Sequence, residues 1–316
     1  MANTIIIGVI ITVCSNNWIS IWIGLEVSLL SFTPFLLNKN KTRSESIIKY
    51  FIIQSVASTI FLFRVIYILI GVSILNEIII TVAILIKLGS APFHNWVIII
   101  IETINYWVIL TFLTLIKIPS LVIIHHINRM FLLVPILLGI MTGSVSCINQ
   151  SSVRKTLGFS SIYNLRLILS SINKLNVTLI FLLIYSFILI IFTLIIKLNK
   201  INFINQIIFN EFNPWLKINL WINILSLGGF PPTIGFISKL IIIQTINSNR
   251  EILLMLIFVL TSILVLIFYT RLVFLSMLNS STFNKWIFFN KTKSLIFIIS
   301  INFTLPVILM RLTRVF

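Results

Sequence analysis

The chain has 316 residues, of which 59% are hydrophobic and only 9% charged; its mean hydropathy is +1.16 and its net charge +17. A soluble globular chain carries about 25% charged residues, so a water-soluble fold of this sequence would lack a polar surface. The apolar runs are continuous rather than alternating, which excludes a transmembrane β-barrel. The basic residues are scattered over short connections and helix ends, the distribution selected by lipid headgroups rather than by nucleic acid.

A membrane-crossing helix needs about 20 apolar residues. Read on that measure, the sequence predicts about eleven spans, near residues 3–14, 18–37, 46–74, 77–100, 103–126, 130–148, 153–172, 176–198, 215–246, 251–278 and 294–313. The expected fold is all-α: a polytopic helical bundle forming one transmembrane domain over residues 1–316. The N-terminus, MANTIIIGVI, has neither the basic region nor the cleavage site of a secretory signal, so the first run is expected to remain as a helix. The first run is short for a span, and the third and ninth are long, which predicts tilt, kinks or breaks. Cys14 and Cys147 are the only cysteines, too few for a four-cysteine zinc or iron–sulfur site, and are expected to be buried small residues.

Orientation follows from where lysine and arginine collect. The even-numbered connections carry Lys39, Lys41, Arg43, Arg154, Lys155, Lys200, Lys285, Lys291 and Lys293, whereas the odd ones carry Arg129, Lys174 and Arg250. The positive-inside rule then places the N-terminus and the even connections on the side of synthesis. Arg311 and Arg314 near the C-terminus run against this pattern.

Ionisable residues inside the runs demand a reason, because a charge at the bilayer centre costs about 2.5–3.5 kcal/mol or more. Glu26 follows Trp18 by eight positions, ~12 Å along a helix. Lys87 lies within TVAILIKLGSAPFH, Lys117 within LTFLTLIKIPSLVII, and Lys239 just after a Gly/Pro-rich stretch in LSLGGFPPTIGFISKLIII. The plain alternative for each lysine is snorkelling, its stem in lipid and its ammonium at the interface. Lys117 sits ~14 Å from the nearer span end, about twice what its stem can reach. The plain alternative for Glu26 is a structural ion pair. Arg166 and Arg271 lie nearer span ends, where snorkelling suffices, and Arg64 is mid-run with no role legible from sequence. Buried amines and carboxylates whose neighbours move can take up and release protons, because burial and nearby charge both change proton affinity.

Two runs are interrupted. One reads KLGSAPFHNW, with Gly89 and Pro92; the other reads LGGFPPTIGF, with Gly228, Gly229, Pro231, Pro232 and Gly235. Proline breaks the helical ladder and lipid cannot satisfy the freed groups, so such breaks must rest against protein or internal water. They are the fourth and ninth spans, equivalent positions if spans one to five and six to ten are repeats. Paired interruptions of this kind point to an inverted-repeat transport site.

The segments WIGLEVSLLSFTPFL, KLGSAPFHNW, SVRKTLGFSSI and LSLGGFPPTIGFISKL together resemble the subunit 2 family of the animal mitochondrial NADH dehydrogenase, respiratory complex I, and the resemblance runs in order over nearly the whole chain. It implies an antiporter-like fold of the shortened animal form in the mitochondrial inner membrane. It further implies proton transfer through Glu26 and Lys87 as an ion pair, Lys117 as a central relay and Lys239 as a terminal site, with other membrane subunits as partners. The family has a histidine after FSSI, in an H-x-G-W neighbourhood; this chain has Tyr163, Asn164, Leu165, Arg166 and Leu167 there. Asn164 can hold water but cannot titrate. His94, His125 and His126 fall near span ends and read as interfacial.

No G-x-G-x-x-G, cysteine cluster or long soluble segment is present, so no cofactor is expected in this chain, and redox chemistry is assigned to partner subunits. Two alternatives remain: a free-standing cation/proton antiporter, which would favour clustered carboxylates, and a purely structural membrane subunit, whose mid-span charges would be dispensable.

Overall fold

The computed structural model describes residues 2–36, 41–71, 76–127, 129–148, 150–209, 214–278, 300 and 302–306. Fourteen α-helices follow in chain order among them: α1 (Ala2–Cys14), α2 (Trp18–Leu36), α3 (Lys41–Ile70), α4 (Asn76–Leu88), α5 (Asn95–Thr103), α6 (Tyr106–Leu113), α7 (Lys117–His125), α8 (Leu133–Cys147), α9 (Val153–Ser170), α10 (Leu175–Leu198), α11 (Ile204–Phe209), α12 (Pro214–Gly228), α13 (Ile234–Ser248) and α14 (Ile252–Leu278). A single 3₁₀ turn, Arg129–Leu132, precedes α8. The described residues contain no strand, only an isolated bridge between Ser152 and Phe203. The all-α expectation holds, and each of the first ten predicted runs coincides with one helix or with two consecutive ones. Of the eleventh run, 294–313, residues 300 and 302–306 are described and are helical; the rest lies outside the described residues, as do Lys39, Lys285, Lys291, Lys293, Arg311 and Arg314.

The span 18–36 and the spans beginning at Ser44, Tyr106, Leu175 and Ile252 are each long and apolar enough to cross a bilayer unaided. Large apolar side chains such as Ile48, Leu69, Leu183, Leu256, Leu260 and Phe274 are exposed. These are positions where lipid or a neighbouring membrane protein replaces water. The hydroxyls inside the spans bond back to their own helices: Ser28 donates to the Leu25 carbonyl at 2.8 Å, Thr81 to Ile78 at 2.7 Å and Ser160 to Leu157 at 2.9 Å. These three hydroxyls thus enter the apolar runs with their donors already satisfied.

The chain divides into two compact units, Met1–Gly139 with Asn164–Leu175, and Ile140–Tyr163 with Asn176–Phe316. In the first unit α1 and α2 form the most extensive helix pair. Small residues permit it: a Cβ on Gly8 would stand 2.8 Å from the Ser28 nitrogen, and one on Gly24 would stand 2.9 Å from the Thr12 nitrogen. Gly8 with Thr12, and Gly24 with Ser28, are each four residues apart on one helix face, the small-residue spacing that lets backbones approach closely in lipid. Deeper in the same unit, Phe32 of α2, Tyr50 of α3, Trp96 of α5 and Phe112 of α6 form one aromatic cluster, with ring centroids 5.3–6.2 Å apart. Phe32 and Phe112 stack at 15°, and the remaining contacts are tilted or edge-on, the arrangements aromatic quadrupoles favour. This cluster anchors α5 directly after the first interrupted helix.

Both expected interruptions are present, one in each unit. The first separates α4 from α5 and the second separates α12 from α13. A third interruption divides α6 from α7 at residues 114–116. Of the two cysteines Cys147 is buried as expected, but Cys14 is exposed: it stands two residues, about 200° of helix, from Thr12, the residue of that last turn which packs against Gly24.

The α1–α2 contact yields a direct expectation. Gly24→Leu places carbon where the Thr12 side chain and backbone now lie, and overpacking of this kind costs about 1–3 kcal/mol. Native electrophoresis of solubilised membranes should show less assembled protein for Gly24→Leu than for a matched change at exposed Ile23.

Candidate functional site

The two breaks are closed by the same backbone device. At the end of α4 the Gly89 nitrogen donates to the Ile86 carbonyl at 3.0 Å and the Ser90 nitrogen to Leu85 at 3.1 Å; Gly89 has φ +64°. At the end of α12 the Gly229 nitrogen donates to Ser226 at 3.1 Å and the Phe230 nitrogen to Leu225 at 3.0 Å; Gly229 has φ +75°. Each is a Schellman closure, which turns the chain back through a left-handed residue and satisfies two helix-end carbonyls. Only glycine reaches that conformation without strain, which is why the sequence places LG before SAP and GG before FPP.

The carbonyls left over at these helix ends carry partial negative charge. In the first unit, the Gln54 amide of α3 donates to the Lys87 carbonyl at 3.1 Å and the Arg166 guanidinium of α9 donates to the Ala91 carbonyl at 2.7 Å. In the second unit the Lys239 amine, carried on α13, reaches back across the break to the Gly228 carbonyl at 2.6 Å. The same amine stands 5.7 Å from the centre of the Tyr163 ring, within cation–π range. Both breaks therefore receive a cationic donor on the carbonyl side.

The third interruption has a different cause. Pro119 has no N–H, and its ring would clash with the carbonyl four residues earlier, that of Leu115. That carbonyl instead accepts from the Ile118 nitrogen at 3.3 Å, while the Ile116 nitrogen spans five residues to Thr111 at 3.4 Å. The helix widens there and restarts at Lys117. Single wide turns of this sort recur at functional positions in helices.

Three of the four residues singled out from the sequence, the lysines, occupy these positions, and the fourth, Glu26, lies within α2. Lys87 lies in the last turn before the first break and is 9% exposed; Lys117 opens α7 at 3%; Lys239 lies in the second turn of α13 at 7%. None of the three is at a surface. Glu26, on α2, is half-buried and within electrostatic range of Lys87, but among the described residues no direct hydrogen bond or salt bridge joins them. The ion pair implied by the resemblance is thus a through-space coupling in this conformation. Lys117 lies in the same unit as Glu26 and Lys87, whereas Lys239 belongs to the other. The Lys117 amine has no hydrogen-bond partner among the described residues.

The arginines depart from the sequence reading. Arg271 is exposed on α14, as expected for a residue near a span end. Arg166 is 0% exposed. Its position on α9 gives no sign of this; the tertiary partner Gly139 does, since a Cβ there would lie 2.0 Å from the Arg166 Nε. The GxxxG pair formed by Gly139 and Gly143 on α8 was the available signal, for α9 crosses both glycines, Gly143 facing the Tyr163 backbone. Arg64 is buried and within electrostatic range of Glu77. His125 ends α7 half-buried with its ring 5.6 Å from that of exposed His126, and His94 sits in the first break with Nδ1 3.2 Å from the Pro92 carbonyl. No cluster of three or more metal-ligating side chains occurs among the described residues.

Both the sequence and the fold have counterparts. The family profile for the transmembrane region of NADH:quinone oxidoreductase and Mrp antiporter subunits matches residues 15–265. The chain belongs to that family. Among its relatives, the NADH-ubiquinone oxidoreductase chain 2 of Anopheles gambiae is 35% identical over 301 residues, covering 90% of this chain and 87% of the relative. The corresponding protein of Oryctolagus cuniculus is 33% identical over 292 residues, covering 87% of this chain and 84% of the relative. The fold is shared with a chain of the respiratory complex I of Thermus thermophilus, at a TM-score of 0.76 and 19% identity over 86% of this chain and 69% of that one. It is also shared with a chain of the archaeal membrane-bound sulfane sulfur reductase, at a TM-score of 0.85 and 15% identity over 98% of this chain and 72% of that one. A chain of the Mrp complex of Dietzia matches at a TM-score of 0.76 and 18% identity, covering 85% of this chain and 58% of that one.

The second break is open to a controlled test within this family fold. A Cβ on Gly229 would lie 2.8 Å from the Lys239 Cδ, Cε and Nζ, whereas Gly71, also left-handed at φ +85°, has nothing within 4 Å. Both Gly→Ala changes incur left-handed strain of about 1–2 kcal/mol, but only Gly229→Ala displaces Lys239. Activity of the parent membrane complex should fall several-fold for Gly229→Ala and stay near wild type for Gly71→Ala.

Proposed function

We propose that this chain carries protons across the mitochondrial inner membrane as a multi-pass, antiporter-like subunit of a proton-pumping NADH:ubiquinone oxidoreductase, with Glu26, Lys87, Lys117 and Lys239 as the transferring groups. The observation that supports the site assignment most is the coincidence of buried amines with helix interruptions. Lys87 and Lys239 flank the two Schellman breaks, and Lys117 starts the helix after the third interruption. A continuous helix presents lipid or protein with no free backbone groups, but an interruption frees carbonyls and makes room for water. A lysine there can exchange a proton with that water, its neutral amine accepting through the nitrogen lone pair and its ammonium donating.

Electrostatics would pass a signal within the first unit. Glu26 favours a charged Lys87, so moving the carboxylate away changes how tightly that amine holds its proton; each tenfold change in affinity is about 1.4 kcal/mol. A coupling without a direct salt bridge suits such a switch, since a tight buried pair would have to be broken on every cycle. The redox chemistry belongs to partner subunits, and the exposed apolar faces of α3, α10 and α14 are the surfaces available to them and to lipid. The lysine and arginine distribution supports an N-terminus on the matrix side. The relatives with one-third identity are oxidoreductase chains, while the Mrp likeness lies at 18% identity, which favours this reading over a free-standing antiporter.

Lys117→Met tests the assignment. Methionine preserves volume and apolar packing but cannot titrate. The variant should assemble to wild-type levels, and vesicles containing the complex should show a lowered proton-to-electron ratio or, with tight coupling, slowed NADH oxidation. Lys117→Arg should also be impaired, because guanidinium does not release its proton. An assembled Lys117→Met complex with an unchanged ratio would make Lys117 structural.

A further inference from the structure

Arg166 is the largest fully buried side chain of the described residues and carries a charge it cannot lose. Of its donors, Nη2 bonds to the Ala91 carbonyl at 2.7 Å, while Nε and Nη1 have no partner among the described residues. Its stem lies directly over Gly139, where a Cβ would stand 2.0 Å from Nε, 2.3 Å from Cγ and 2.4 Å from Cδ. Gly139 therefore serves as the floor of a slot for this one side chain. Ala91 lies in the first break, four residues after Lys87. The Lys117 amine, 3% exposed and unpartnered among the described residues, is within electrostatic range of the guanidinium. Arg166, Gly139, Ala91, Lys87 and Lys117 all belong to one unit.

A buried guanidinium with two unanswered donors is costly, and packing alone gives no reason to keep it. Buried donors of this kind are answered by internal water. Water bound to Arg166 accepts from it, so both of its own hydrogens are available to an acceptor, and the lone pair of a neutral lysine amine is one.

We propose that Arg166 is a positioning residue for proton transfer at Lys117: it pins the carbonyl of Ala91 in the first helix break and, through Nε and Nη1, holds the water that joins that break to the Lys117 amine. Arg166 itself neither takes nor gives a proton. When a proton arrives as hydronium, one of its O–H bonds breaks as the N–H bond to Lys117 forms, and the water left behind then accepts from Arg166. The charged Lys117 is then a donor like Arg166, and the water between them must turn before the next transfer. This inference rests on Lys117 being a relay.

The test uses the intact membrane complex in vesicles, with assembly, NADH oxidation and the rate of proton uptake read for each variant. Arg166→Met should assemble and lose proton transfer by roughly tenfold, the scale on which misplaced reacting partners lower rates. Arg166→Lys, which keeps three donors on a similar stem, should restore most of the rate. Gly139→Ala should reproduce the loss by pushing Arg166 out of its slot, yet add nothing in an Arg166→Ala background, where no long side chain fills the slot; this comparison carries the test if Arg166→Met fails to assemble. Wild-type proton transfer in assembled Arg166→Met, no rescue by Arg166→Lys, or an equal effect of Gly139→Ala with and without Arg166 would each overturn the proposal. Lys117→Met, measured in parallel, separates the two ideas: impaired Lys117→Met beside normal Arg166→Met removes the role of Arg166 alone, whereas both normal removes the relay as well.

Discussion

Hydrocarbon cannot hydrogen-bond, so every backbone group freed inside the membrane must find its partner within the protein. The rest of this structure depends on how that constraint is met at residues 89–94 and 229–233. Each break is closed first by its own glycine, through paired bonds to carbonyls of the preceding turn, and then by donors from elsewhere: Gln54 and Arg166 in one unit, Lys239 in the other. The donors that close the breaks include charged groups, so the fold's solution to a backbone problem brings ionisable side chains to the middle of the membrane.

Packing around the breaks relies on absent side-chain volume as much as on large residues. Gly8 and Gly24 allow α1 and α2 to touch backbone to backbone, Gly139 makes room for Arg166, and Gly235 brings the start of α13 so near α12 that a Cβ would fall 1.8 Å from the Ser226 carbonyl oxygen. Between helices in lipid there is little hydrophobic gain to be had, and close approach supplies dispersion contacts instead. The aromatic cluster of Phe32, Tyr50, Trp96 and Phe112 complements this by locking four helices of the first unit around the segment that leaves the first break.

The likeness to chains of complex I, Mrp and sulfane sulfur reductase assemblies is one of fold. At 15–19% identity the shared feature is the backbone, while the chemistry rests on which residues occupy it. Here Asn164 and Arg166 stand in the stretch after FSSI, one unable to titrate and the other permanently charged. The first unit accordingly combines a permanently charged guanidinium with the buried amines of Lys87 and Lys117.

Much of this was legible from sequence because lipid imposes a one-dimensional rule. Runs of about 20 apolar residues must be helices, so the all-α class and the burial of Lys87, Lys117 and Lys239 could be read by counting, and Gly89 and Gly229 beside prolines marked the breaks. Other features depend on which helix faces which, and counting along one chain cannot supply that. Arg166 lies six positions from its predicted span end, as a snorkelling residue would, and only the facing Gly139 shows that it turns inward. The Lys239 amine returns to the Gly228 carbonyl because α13 folds back against α12, and Glu26 couples to Lys87 without touching it because α2 and α4 set that separation. Sequence determined where charge enters the membrane, since the cost of burial depends on depth; tertiary structure decided what each charge meets there, since hydrogen bonds and electrostatic coupling depend on distance and direction between helices.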